Sequence, residues 1–230
     1  LQSGGGSNPY AELVGSLLYL SNTTRPDLAY ATGALARFMA QPCEQHMQAA
    51  KAVLRYLAGS QSVGITYSRD GGELVGYGDA DHGGCVDTRR STTGFVFVRN
   101  GGAVCWCSKR QPVVALSTAE AEYIAAAALV REALWLQQLE RDLQLGGNGG
   151  AAAQVQLLTD NQAALALLHG ATGARRVKHV EVPYHFARQH VESGRVAFSY
   201  TPSEQMVADA LTKPLGPSAL ARCKKAMGMI

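Results

Sequence analysis

Apolar residues in the first quarter of the chain recur every three or four positions, the spacing of amphipathic helices. Asn8 followed by Pro9 is typical of a helix N-cap and first turn, and Gly59 is typical of a helix end. The connections between the helices are short, so we expect a helical hairpin or small bundle over residues 8–62. The predicted helices cover residues 10–20, 25–39 and 42–59.

From residue 63 onward, short apolar runs and alternating segments replace the helical pattern. The turn "NGG" after Arg99 predicts a β-hairpin. Hairpin-linked strands followed by strands alternating with helices predict an α/β fold, a mixed sheet with helices packed on it, over residues 63–230. Strands are predicted at 63–68, 73–81, 91–100, 102–110, 155–159 and 194–200, and helices at 118–143, 161–170, 180–192 and 202–213.

Composition narrows the class of protein only modestly. Hydrophobic residues make up 47% of the 230 and charged residues 17%, enough apolar material for a buried core. The net charge of +3 is compatible with nucleic-acid binding without requiring it. No apolar run long enough to span a membrane is present. The five cysteines have no framework spacing, which indicates reduced thiols in an intracellular protein, and the glycine-rich residues 1–7 are interpreted as a linker.

Three aspartates occupy places where sites form in sheets of this kind. Asp79 and Asp160 end predicted strands, and ligands gather beyond the carboxyl ends of strands. Asp209 lies among apolar residues in the last predicted helix. Each has a plainer interpretation: Asp160 as an N-cap, Asp79 as a turn residue like Asp81, and Asp209 as a surface charge.

The stretch "LSTAEAEY" holds two glutamates that face different ways on one helix. Ser117 and Glu120 match a capping box, so Glu120 has a sufficient structural role. "TPSE" at residues 201–204 matches a second box, which makes Glu204 structural as well. Glu122 has no such role, although a carboxylate on an apolar flank must be paired, protonated or bound to a cation. At about 100° per residue, the side chains nearest Glu122 are Ala126, Leu129, Ala133 and Leu136.

Asp79, Glu122, Asp160 and Asp209 would repel one another if they converged, unless divalent cations neutralised them. Mg²⁺ binds a few carboxylates together with waters and phosphate oxygens. Two such ions about 4 Å apart can activate a water and stabilise the leaving oxygen of a phosphodiester. The residues alone do not establish that the four converge.

The stretches "SKRQPVVALSTAEAEY", "LLTDNQAALAL" and "ADALTKPL" carry a resemblance that the spacing does not supply. From about residue 70 to 216 the sequence resembles the ribonuclease H domain of Ty1/copia-type retrotransposon polyproteins. The preceding helices look like the thumb and connection of the reverse transcriptase in the same polyproteins. The resemblance implies the RNase H-like fold, with three antiparallel strands followed by two parallel strands and flanking helices.

The same resemblance implies cleavage of RNA in RNA–DNA hybrids with two Mg²⁺ ions, Mn²⁺ being an alternative. By motif, the acidic set is Asp79, Glu122, Asp160 and Asp209, with Asp81 as a weaker rival to Asp79. His82 and Cys85 replace the usual Trp and Asp, and we expect them to affect packing or substrate contact more than metal binding. The implied partners are the hybrid and the polymerase portion of the same polyprotein, in the cytoplasm or in virus-like particles, with no membrane.

A basic stretch near residue 180 is a candidate nucleic-acid surface, because cations there would displace counterions from phosphates. A zinc site is the weaker interpretation, since the spacing fits no usual metal signature. A solvated amphipathic helix is as good an interpretation as the nucleic-acid surface. The candidate nucleic-acid contacts are Lys109, Arg110, Asn161, Arg175, Arg176, Lys178, His179 and Lys213.

Three functions remain open on the sequence. The first is an endoribonuclease that cleaves the RNA strand of RNA–DNA hybrids during reverse transcription of a retroelement. The second is a catalytically idle hybrid-binding or structural module, with the helical segment docking to a polymerase. The third is an integrase-like nuclease on the same fold, which would cleave duplex DNA.

Overall fold

The computed structural model describes residues 8–69, 72–143, 154–170 and 181–230. The predicted linker, residues 1–7, lies outside the described residues. Two short 3₁₀ turns, Pro26–Leu28 and Ser203–Gln205, accompany the main elements. The helices are α1 (Pro9–Thr23), α2 (Ala29–Ala36), α3 (Glu44–Ala58), α4 (Thr118–Asp142), α5 (Gln162–Leu168), α6 (Glu181–Glu192), α7 (Asp209–Thr212) and α8 (Pro217–Ala226), and the strands are β1 (Val75–Asp81), β2 (Thr92–Arg99), β3 (Gly102–Arg110), β4 (Val155–Thr159) and β5 (Val196–Tyr200).

The five strands form one mixed sheet in the order β3-β2-β1-β4-β5. The pairs β1–β2 and β2–β3 are antiparallel, whereas β1–β4 and β4–β5 are parallel. Asn100 and Gly101 both have positive φ in the β2–β3 turn, as the predicted hairpin requires. This is the RNase H-like topology, so the predicted fold class is confirmed.

Helices cover both faces of the sheet. Leu129 of α4 packs with Phe97 and Leu157 on one face, and Leu211 of α7 lies in a second core with Met227 and Val96 on the other. A β-carbon on Gly78 would lie 2.9 Å from Leu129 Cδ2, so glycine lets α4 approach β1 closely. This approach brings the first turn of α4 toward the end of β1.

Helices α1, α2 and α3 form a helical segment with its own small core around Tyr10 and Leu17. The predicted cap is present, since the Asn8 side chain accepts hydrogen bonds from the first amides of α1. The segment docks on the sheet: Trp106 Nε1 of β3 donates to the Ser21 carbonyl at 2.7 Å. The helical segment and the sheet domain are therefore in direct contact.

A buried ion network, Arg25, Asp27, Tyr56 and Ser60, lies in the helical segment. The Arg25 guanidinium donates through Nε and an Nη atom to the two Asp27 oxygens, at 2.9 and 2.8 Å, and also donates to Ser60. The Tyr56 hydroxyl donates to Asp27, and Lys224 Nζ of α8 donates to Tyr56 at 3.0 Å. The network therefore ties the helical segment to the last helix.

Two predicted elements are wrong. Residues 63–68 do not form a strand; they make a single bridge, from Ile65 to Met229 near the chain's last residue. The predicted helix 202–213 is instead the 3₁₀ turn Ser203–Gln205 and the short helix α7, because the backbone is extended at Met206, and no side chain caps either segment. The second capping box, with Glu204, is therefore absent, and α8 is an additional helix.

Candidate metal centre

Three carboxylates from three elements meet at one edge of the sheet. Asp79 belongs to β1, Glu122 to the first turns of α4, and Asp160 follows β4. Because β1 and β4 are parallel neighbours, their carboxyl ends lie at the same edge. One oxygen from each residue lies within 4.8 Å of the other two. We call this trio the carboxylate cluster; Asp81, the rival to Asp79, is not part of it.

The start of α4 sets the direction of Glu122. The Ser117 hydroxyl accepts a hydrogen bond from the Glu120 amide at 3.2 Å, which confirms the predicted N-cap. Glu120 Oε2 accepts from the Leu116 amide at 2.7 Å, one residue before the amide that the capping box predicts. Glu120 is thus committed to the helix start, and Glu122 points into the buried cluster.

The cluster is electrostatically unfavourable for an ionised Glu122. Burial, together with the nearby charges of Asp79 and Asp160, raises the pKa of Glu122 to about 9. A backbone hydrogen bond from Ala80 and the Lys213 ammonium act in the opposite direction. These two contacts offset only part of the cost of ionising Glu122, and a bound cation would offset the rest.

The fourth predicted acid, Asp209, lies beside the cluster and is linked to it by Lys213. Lys213 Nζ is 2.7 Å from Asp209 Oδ1 and 3.8 Å from Asp79 Oδ2. Thr212 Oγ1 donates to the same Asp79 oxygen at 2.5 Å. Burial raises the pKa of Asp209 to about 6, with Lys213 acting against the shift and Asp79 adding to it. Lys213, a predicted phosphate contact, is therefore engaged by two carboxylates.

The donor set fits a hard divalent cation. All the candidate ligand atoms are carboxylate oxygens, which Mg²⁺ and Mn²⁺ prefer over softer ligands. Asp79 and Glu122 are buried and Asp160 is partly open to solvent. A cation bound here would thus keep a route to water and substrate. The identity of the ion stays a prediction.

The other predicted site residues have varied positions. Asn161 is the N-cap of α5 and accepts from the Ala164 amide at 2.9 Å, so the N-cap interpretation of Asp160 is wrong. Lys109 and Arg110 end β3, the first exposed and the second half-buried. The basic residues Arg175, Arg176, Lys178 and His179 lie outside the described residues.

The two residues that depart from the family pattern lie near the cluster without joining it. A ring nitrogen of His82 lies 3.1 Å from the Ala115 carbonyl, in the loop before α4. Cys85 is buried and accepts a weak hydrogen bond from Arg110 at 3.7 Å. Neither contact involves a member of the carboxylate cluster, and the effect of these residues on metal binding stays a prediction.

Sequence comparison identifies the family. The chain is 38% identical over 221 residues to the retrovirus-related Pol polyprotein from transposon TNT 1-94 of Nicotiana tabacum, and 35% identical over 221 residues to that from transposon RE1 of Arabidopsis thaliana. Each alignment covers 96% of this chain. Over most of the chain, its homologues are retrovirus-related Pol polyproteins from copia-type transposons. The chain spans only 16% and 15% of the length of these two Pol polyproteins.

Further similarities include a shorter protein and several solved structures. The secreted RxLR effector protein 161 of Plasmopara viticola is 51% identical over 129 residues, 56% of this chain and 91% of that protein. Among solved structures, LC11-RNase H1 in complex with an RNA/DNA hybrid matches 61% of this chain and 94% of its own at 17% identity, with a TM-score of 0.43. RNase H1 from Halobacterium salinarum matches 61% and 95% at 20% identity, with a TM-score of 0.43. No protein-family model matches the chain.

Among the described residues, no helix combines the length and apolar character needed to cross a bilayer.

Proposed function

We propose that this Pol segment is a divalent-metal-dependent ribonuclease H, which cleaves the RNA strand of RNA–DNA hybrids during reverse transcription of a retroelement. The observation that carries the proposal is the carboxylate cluster, three acids within 4.8 Å at the carboxyl ends of β1 and β4. Its place in an RNase H-like sheet of the Pol family supports the same conclusion. Substrate 2′-hydroxyls would distinguish RNA from DNA.

In this proposal the carboxylate cluster and Asp209 hold two Mg²⁺ ions, with Mn²⁺ as an alternative. When bound, the ions supply an activated water and stabilise charge on the phosphate. Glu122 would hold an ion in its ionised form, because a carboxyl group must be deprotonated to act as a metal ligand. Lys213 contacts Asp79 through Oδ2, the oxygen that also accepts from Thr212.

Two hydroxyls hold the acids in place. Thr212 donates to Asp79, and Ser203 donates to Asp160. Each hydrogen bond occupies one carboxylate oxygen, Oδ2 in both cases, and leaves Oδ1 available as a ligand. These hydroxyls are positioning groups, because they restrict the rotation of the two acids.

We also propose that the partners are the hybrid and the polymerase portion of the same polyprotein, in an intracellular setting. The docked helical segment supports a polymerase partner, since it already joins the sheet domain through Trp106 and Lys224.

The deciding experiment incubates the chain with an RNA–DNA hybrid labelled on the RNA strand, with and without Mg²⁺. We expect metal-dependent RNA cleavage by the wild type and none by Asp160→Asn. Asp142→Asn is the matched control, because Asp142 is exposed at the far end of α4. Hybrid binding without cleavage by the wild type would favour the idle module, and cleavage of duplex DNA without RNA would favour the integrase-like nuclease.

A further inference from the structure

A pocket of about 340 Å³ lies where the helical segment meets the sheet. Helix α2 forms one wall with Gly33 and its last residues, and the ends of β2 and β3 form the other. The two walls are close enough that a β-carbon on Gly33 would be in van der Waals contact with the Ser108 carbonyl oxygen, at 3.8 Å. Four cationic side chains from these elements line the basic pocket: Arg37, Arg90, Lys109 and Arg110.

The four cations lack acidic partners within the described part of the chain. None of them forms a salt bridge with a described carboxylate, whereas Arg25, Arg99, Arg188 and Lys213 each do. Arg37, Arg90 and Arg110 are only half-exposed, so water screens them less than it screens fully exposed cations. Like charges held together in a concave site attract an anion.

Phosphate is the anion that this chemistry fits best. A guanidinium offers planar paired donors that match two phosphate oxygens, and three of the four cations are arginines. Phosphate groups on a nucleic-acid strand also bring the closely spaced negative charge that would engage several cations at once.

Gln111, one of the lining residues, carries a buried hydrogen-bond acceptor. Gln111 is 2% exposed, and its Nε2 donates to Thr93 Oγ1 and to the Ala121 carbonyl. The Ala121 carbonyl can only accept, so it fixes which end of the amide is the oxygen. Gln111 Oε1 accepts no hydrogen bond from any described residue. A donor such as a ligand hydroxyl would satisfy this oxygen.

The sheet register places the pocket on the same side of the molecule as the carboxylate cluster. Asp79 pairs with Gly94, and Gly94 pairs with Ser108, which lines the pocket. Directly paired residues point to the same face of a sheet. Two strand spacings amount to about 10 Å, roughly the axial rise of three nucleotides in one strand.

We propose that the basic pocket binds a backbone phosphate of the hybrid about three nucleotides from the bond that is cut, by the spacing argument above. This inference rests on the proposed function. It gives the helical segment a direct role in holding substrate, through Arg37, in addition to its contacts with the sheet domain.

The test measures hybrid affinity by fluorescence anisotropy without divalent ions, at several salt concentrations. Arg37→Gln and Arg110→Gln probe the two walls of the pocket. Each should weaken binding roughly tenfold and reduce the slope of log K against log salt by about 1. The matched control is Arg141→Gln, an exposed arginine about 28 Å along α4 from Glu122, which should bind like the wild type.

The outcomes separate this inference from the proposed function. If the wild type binds and cleaves hybrid but both pocket variants match it in affinity and salt slope, the pocket inference is wrong and the proposed function stands. If the wild type neither binds nor cleaves, the proposed function fails. A pocket that binds inorganic phosphate alone, with no effect of the variants on hybrid affinity, also overturns the inference. Thermal unfolding and Mg²⁺-dependent stabilisation of each variant confirm that it is folded.

Discussion

The carboxylate cluster and the buried ion network both place acidic groups out of water, but their surroundings differ. Asp27 accepts hydrogen bonds from both donors of the Arg25 fork and from Tyr56, so its charge is fully compensated inside the chain. In the cluster, three acids lie within 4.8 Å, with Lys213 as the nearest cation and bonded most closely to Asp209.

The difference separates a structural charge from a functional one. A buried ion pair that is complete within the protein has no need of a ligand, and removing one partner destabilises the fold. An acidic group whose ionised form is disfavoured by burial and by neighbouring acids is stabilised by an added cation or by replacement with a neutral side chain. Replacing one ionisable side chain by a neutral one should therefore lower the free energy of unfolding in the buried ion network and raise it in the carboxylate cluster.

The largest expected change in stability follows from breaking the ion network. Arg25→Met leaves Asp27 buried without its main partner, so we expect a loss of about 3–5 kcal/mol in the free energy of unfolding. Urea denaturation measures it. The double variant Arg25→Met with Asp27→Leu should recover most of the loss, because no uncompensated charge remains. A single variant as stable as the wild type would contradict the structural role of the network.

Metal binding should stabilise only a protein with an intact cluster. At about a hundredfold excess of Mg²⁺ or Mn²⁺ over the dissociation constant, we expect about 2.7 kcal/mol of stabilisation. Asp160→Asn should lose most of this effect, and Asp142→Asn should keep it. Denaturation with and without the ion provides the measurement. Equal stabilisation of both variants would place the ion elsewhere.

The metal-free protein should lose stability as pH rises through the range set by Glu122. The pKa of Glu122 is raised from 4.5 to about 9, so the folded state holds a proton that the unfolded chain releases. The unfolding free energy should therefore fall from about pH 4.5 to about pH 9. Glu122→Gln cannot ionise, and at about pH 7 it should be more stable than the wild type by roughly 2 kcal/mol.

Glu120→Gln is the control for that titration, because Gln also completes a capping box and leaves the cluster unchanged. Its stability should change by less than about 0.5 kcal/mol at every pH. A metal-free Glu122→Gln protein that is less stable than the wild type at neutral pH would contradict the unfavourable electrostatics of the cluster.

Local signals in the sequence were sufficient for the elements that carry the acids. The strand at 155–159 and the start of α4 at Thr118 were predicted correctly from an apolar run and from a cap. Helix geometry alone predicts that Glu120 and Glu122 lie on different faces of α4. These features depend on residues within a few positions of one another.

Long-range contacts account for what the sequence did not predict. Ile65 pairs with Met229, and Ser203 donates a hydrogen bond to Asp160, 43 residues away. The pairing of Lys213 with the acids depends on where α7 packs against β2. The closeness of Arg37 to Arg110 likewise depends on docking of the helical segment, which the hydrophobic pattern of the sequence does not predict.

Hybrid cleavage by the pair Glu122→Gln and Glu120→Gln tests the central claim most directly. Both variants replace one glutamate carboxyl group by an amide at the same end of α4, two residues apart. We expect Glu122→Gln to lose a hundredfold or more in Mg²⁺-dependent cleavage, because loss of a metal ligand removes several kcal/mol of transition-state stabilisation. We expect Glu120→Gln to cleave nearly as well as the wild type. Full activity of Glu122→Gln, or loss of activity in Glu120→Gln alone, would contradict the assignment of the carboxylate cluster as the metal centre.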